Sequence, residues 1–111
     1  MSKLDLLEQH NNRNHIKNFL EHNNIPDYGR FTTTVKVNRF YLRNVDISIN
    51  NIPQREWASI YIMWEDCGLA NYREFNLYGE YRSDYNQIIF DSKLNTLTIG
   101  NQDPIHIIYT S

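Results

Sequence analysis

From Phe31 to Thr110 the chain is cut into short runs, several of which alternate apolar and polar residues, and the runs are separated by a few residues rich in Asn, Gly, Pro, Asp and Ser. A period of two puts successive side chains on opposite faces of a strand. Short connections leave no room for the crossovers that parallel neighbours need, so consecutive runs are expected to pair antiparallel.

The runs are read as follows. Phe31, Thr33, Val35 and Val37 alternate with Thr32, Thr34 and Lys36, and Asn38-Arg39 follows as a tight turn. From Phe40 to Ile49, Tyr41, Val45, Ile47 and Ile49 alternate with Arg43, Asp46 and Ser48. After "NNIPQ" comes Trp57–Trp64, then the loop "EDCGLAN", then Tyr72–Arg82, a turn at Ser83-Asp84 and Tyr85–Asp91. "SKLN" and "GNQDP" set off two further short strands, Thr96–Ile99 and Ile105–Thr110. The expected sheet is a meander of about six or seven strands over residues 30–110.

Before the sheet, a helical segment is expected over about residues 2–24. Ser2 is a candidate N-cap, with Asp5 near the positive end of the helix. Ile16, Phe19 and Leu20 form an apolar face that needs a sheet to cover. Leu4 and Leu7 point to a different side of the helix. The run "HNNRNH" lies between the two patterns, and Asn favours caps and turns over helix interiors. A break near Asn11–Asn14, or a loosely attached first turn or two, is therefore expected. Asn23 or Asn24 supplies a left-handed C-cap, and Pro26 prevents continuation.

The fold class is thus α+β: an N-terminal helical segment packed on an antiparallel meander. With 111 residues, no linker and no internal repeat, residues 1–111 read as a single domain. A hydrophobic content of 41% with 22% charged residues supports one core without staples. Cys67 is the only cysteine, which excludes an intrachain disulfide and fits a reducing compartment. "MSKLDLLEQHNN" holds no signal-peptide run, and no segment has the length of apolar sequence needed to cross a bilayer. A cytoplasmic protein is expected. The net charge of −2 argues against a general binder of nucleic acid or membrane. Asn, Ile and Tyr are used heavily, and their AT-rich codons point to a bacterial or phage genome.

No catalytic, cofactor or metal site is expected. His10, His15 and His22 lack the i, i+4 spacing of a helical metal site, and His106 reads as a half-exposed strand residue. Glu65 and Asp66 beside Cys67 disfavour a thiolate nucleophile. The four glycines form no phosphate-binding loop.

The signal that remains is aromatic. In Trp57–Trp64, Ala58, Ile60, Ile62 and Trp64 share one face, leaving Trp57, Tyr61 and Met63 on the other. Pairing with Tyr72–Arg82 sets Tyr72 and Tyr78 beside them, with Glu74 and Glu80 interleaved. Tyr and Trp supply large contact area at low entropic cost. Trp57, Tyr61, Tyr72, Glu74, Tyr78 and Glu80 are therefore the expected partner-binding residues. The expected function is that of a small inhibitor that blocks a protein target, of toxin-immunity or anti-defence type, and not an enzyme. One alternative is a nucleotide or RNA binder, or an enzyme, in which Arg39, Arg43, Arg55, Arg73 and Arg82 converge. Another is a subunit that self-associates, as a homodimer for instance, through the aromatic face.

Overall fold

The computed structural model describes the backbone of residues 3–26, 28–51, 58–76, 87–100 and 103–110, with side chains from residue 11 onward except at 51, 58, 66 and 76. One helix, α1 (Lys3–His22), precedes seven strands: β1 (Tyr28–Val37), β2 (Phe40–Asn51), β3 (Ala58–Asp66), β4 (Leu69–Asn76), β5 (Ile88–Asp91), β6 (Thr96–Ile99) and β7 (Ile105–Ile108). All pairings are antiparallel, in the order β4-β3-β2-β1-β7-β6-β5. The protein is α+β, as its periodicity implies. Among the described residues, no helix is long and apolar enough to cross a membrane.

The sheet consists of two meanders joined through β1 and β7. β1 to β4 step outward to one edge, and β5 to β7 return from the other. The expectation that a turn at Ser83-Asp84 makes β4 and β5 neighbours is therefore wrong. That turn lies outside the described residues, but the two strands are the opposite edges of the sheet.

Helix α1 packs against the neighbouring strands β5 and β6 and also against β2, three strand positions from β6. The sheet therefore curls around the helix, and its inner face supplies the core. Ile16, Phe19 and Leu20 are fully buried among Val45, Ile47, Ile60, Ile62, Ile88, Leu97, Ile99 and Ile107. Phe19 sits in an aromatic cluster, its ring centroid 5.9 Å from Phe31, 5.6 Å from Phe90 and 6.4 Å from Tyr109.

The helix is not broken at Asn11–Asn14. Its backbone runs through, because two polar side chains have partners on the sheet. Asn12 Oδ1 accepts from the backbone N–H of Ile88 at 3.1 Å, and His15 Nδ1 accepts from that of Phe90 at 3.1 Å. An asparagine whose side chain is engaged elsewhere no longer competes for its own helical backbone. The helix ends as expected. Asn24 takes φ 57°, with Ile25 N–H bonded to Leu20 C=O and Asn24 N–H to Glu21 C=O, the pairings of a Schellman cap.

Two strand details also differ from the sequence pattern. Thr33 faces Val45 while Val35 faces Leu42, so Arg43 and Asn44 together oppose Thr34, and Asn44 takes φ 57°. This β-bulge reverses the phase of β2. Leu42 joins the inner face, and Tyr41 is 58% exposed on the outer face, with Lys36 Nζ 5.3 Å from its ring centroid. The loop read as "EDCGLAN" is a two-residue turn. Cys67 (φ 50°) and Gly68 (φ 80°) join strands that extend to Asp66 and from Leu69. Two consecutive positive φ angles match the twist of a hairpin.

Candidate functional site

Strand register decides which side chains share the outer face. Tyr61 pairs with Glu74 and Met63 with Tyr72, so these four project together, opposite the core residues Ile60, Ile62 and Phe75. Tyr72 is 65% exposed and Met63 40% exposed. The rings of Tyr61 and Tyr72 stack diagonally across the two strands, centroids 5.3 Å apart and planes 13° from parallel. A stacked, partly exposed pair of this kind is a pre-arranged apolar ridge, since two side chains already share one geometry. Trp57, Tyr78 and Glu80 lie outside the described residues.

Beside this ridge runs a groove of 390 Å³ lined by Tyr28, Arg30, Ser48, Asn50, Ser59 and Tyr61. Tyr28 forms its far wall and is 68% exposed. Asn50 Oδ1 is buried there and has no hydrogen-bond partner among the described residues. Tyr28 and Asn50 had no place in the expected site. Parity with Ser48 along β2 would have put Asn50 on the outer face, but its nearness to Tyr28 depends on strand pairing.

Farther along the same face the character changes. Asp46 accepts from Arg30 Nη2 at 2.9 Å and from Thr32 Oγ1 at 2.8 Å. The Thr32 hydroxyl and then the Arg30 guanidinium hold the Asp46 carboxyl below the usual carboxylate range. These groups satisfy one another, whereas the β3–β4 end of the face presents rings and a thioether.

The inner face carries a second concavity, where the sheet extends past the helix. Val37, Phe40, Leu42, Ile62, Trp64 and Ile105 line a cleft of 660 Å³ that also has Arg73 and Asp103 in its wall. Arg43 lines a separate depression with Tyr41 and Ile108, and Arg39 stands in the exposed β1–β2 turn. Of the five arginines considered for phosphate recognition, these three do not converge, and Arg55 and Arg82 lie outside the described residues. His106 Nδ1 is 3.0 Å from Thr98 Oγ1, His15 caps β5, and exposed Cys67 occupies the β3–β4 turn. Compared with known protein families, curated proteins and solved structures, the chain matches none.

Proposed function

We propose that the protein binds a protein partner through the outer face of β3 and β4 and acts as an inhibitor by covering part of that partner. The observation that carries this reading is the stacked Tyr61–Tyr72 pair, partly exposed beside Met63 and bordered by a groove. Aromatic anchors with nearby polar groups are the composition of interface hot spots. Glu74 at the rim adds negative charge, which steers association with a basic surface and acts mainly on its rate. An immunity or anti-defence role fits this size and surface, with a toxin or a host defence protein as the target.

The test is parallel capture from the native cell or host on the immobilised wild type, Tyr61→Ala/Tyr72→Ala and Ile89→Ala. Ile89 is exposed on the opposite edge strand and serves as the control. A protein retained by the wild type and by Ile89→Ala, and depleted about tenfold or more on the double variant, is the expected result. Its activity should then fall as wild-type protein is titrated in. Equal capture by all three would refute the reading.

The concave cleft favours a second reading, a site for a small apolar ligand. Its volume lies within the ordinary range for such sites. A ligand that raises the melting temperature of the wild type but not of Leu42→Arg would support it.

A further inference from the structure

The two edges of the sheet are treated differently. At β5, the Ile88 and Phe90 N–H groups point off the edge and are taken by Asn12 and His15 of α1. At β4, no described residue pairs with the outer side. The two-residue turn at Cys67-Gly68 closes on a hydrogen-bonded Asp66–Leu69 pair, and hydrogen-bonded pairs then alternate along the ladder. Leu69, Asn71, Arg73 and Phe75 thus bond back to β3. Ala70, Tyr72, Glu74 and Asn76 turn their N–H and C=O groups to the outer side, which no described residue pairs. This edge strand is eight residues long and contains neither Pro nor Lys, two of the usual guards against pairing.

We infer that β4 pairs antiparallel with β4 of a second copy of this chain, about a two-fold axis at Tyr72. The strand's own sequence selects this occupant and register. With Tyr72 opposite Tyr72, Ala70 faces Glu74, Asn71 faces Arg73 and Leu69 faces Phe75. The edge-directed groups of Ala70, Tyr72 and Glu74 all find strand partners, those of Asn76 fall opposite Gly68, no like charges meet, and Leu69, 70% exposed in the single chain, gains an apolar neighbour. Moving the axis to Arg73 sets two guanidinium groups directly opposite, an unfavourable cross-strand pair. Moving it to Asn71 shortens the overlap and leaves Glu74 and Phe75 without strand partners. Pairing about Tyr72 makes one fourteen-stranded sheet. On its outer face Met63, Tyr72 and their symmetry mates form a continuous row, flanked by the two Tyr61 rings. The inference concerns backbone groups of the edge and does not depend on the partner proposed for the face.

The test uses the full chain and two kinds of variant. The wild type should sediment with twice the mass of a single chain, and Tyr72→Pro or Glu74→Pro should halve that mass with the circular dichroism retained. Proline is tolerated where the lost N–H faces an open edge. In a Cys67→Ser background, Tyr72→Cys should form a disulfide-linked dimer on mild oxidation, since paired Cα atoms at about 5.5 Å suit the bond. Ala70→Cys alone should not cross-link, whereas Ala70→Cys/Glu74→Cys should. A wild type that stays monomeric at every accessible concentration overturns the inference. So does a dimer that survives both prolines or cross-links through Ala70→Cys alone. Partner capture on the immobilised protein is read separately, so either idea can fail without the other.

Discussion

The edge strands β5 and β4 solve the same problem in opposite ways. β5 has four residues, and the backbone donors it presents outward are matched by Asn12 and His15, one helical turn apart on α1. Side chains at i and i+3 lie on one helix face, so both can reach the same strand edge. β4 is twice as long and has no such cover among the described residues. The inner side of the molecule is thus closed at one end by a helix and left as an apolar cleft at the other. The proposed function is placed at the β4 end because of the partly exposed Tyr61–Tyr72 stack it carries.

The strongest way to break this contrast is to remove the helix from its seat. Phe19 is fully buried against rings from β1, β5 and the segment after β7. Phe19→Ala should cost about 3–5 kcal/mol in denaturant melts. A loss below about 1 kcal/mol would mean that the helix contributes little and that β5 needs no cap.

A finer cut targets the cap alone. Asn12→Leu should destabilise by about 1–3 kcal/mol, because it leaves the Ile88 N–H unpaired in a buried setting. Amide exchange at Ile88 should accelerate by the corresponding factor, with that at Tyr72 unchanged. His15→Ala should cost less, since the His15–Phe90 bond is only partly buried. Equal protection of Ile88 in both wild type and Asn12→Leu would show that the bond does not govern this edge.

At the other end, Tyr72→Ala should leave the fold intact. A stacked pair is worth about 0.5–1.5 kcal/mol beyond burial, and Tyr72 is mostly exposed, so a stability change of about 1 kcal/mol or less is expected. Loss of partner capture without a large drop in melting temperature would separate its role from those of Phe19 and Asn12. A drop as large as that for Phe19→Ala would place Tyr72 in the core.

The smallest effect belongs to the polar part of the outer face. Thr32 and Arg30 lower the folded-state pKa of Asp46. A depressed carboxylate stabilises above its unfolded pKa, about 3.9, and that contribution fades as pH falls through the lower folded value. The melting-temperature difference between wild type and Asp46→Asn should therefore be level above about pH 5 and shrink below about pH 4. The group is exposed, so the difference should be slight and further reduced by salt. A difference that grows in acid would contradict the assignment.

Much of this architecture is legible in local pattern. The face of Ile16, Phe19 and Leu20, the strand phases of Val35, Val45, Ile47, Ile60 and Ile62, and the cap at Asn24 all follow from periodicity and residue conformation. These signals act over a few residues, and a linear string records them. The pairing of Tyr61 and Tyr72 was also legible, because a hairpin turn lies between them. Asparagine use, which composition alone relates to codon bias, has a structural side. Asn24, Asn38, Asn44 and Asn95 all adopt the left-handed conformation that glycine usually supplies, in a chain with four glycines.

Tertiary structure alone decided the rest. The continuity of α1 through Asn12 depends on Ile88, 76 residues away. The junction of β1 with β7, and so the placing of β4 and β5 at opposite edges, depends on which runs meet after the chain has crossed the sheet. The phase of Tyr41 and Leu42 depends on a bulge at Asn44, where one residue inserted against β1 reverses the face of everything before it. In each case the local preference was weak or divided, and a hydrogen bond to a distant strand settled it. Local propensities differ by tenths of a kcal/mol per residue, whereas a buried N–H left unpaired costs about 1–3 kcal/mol.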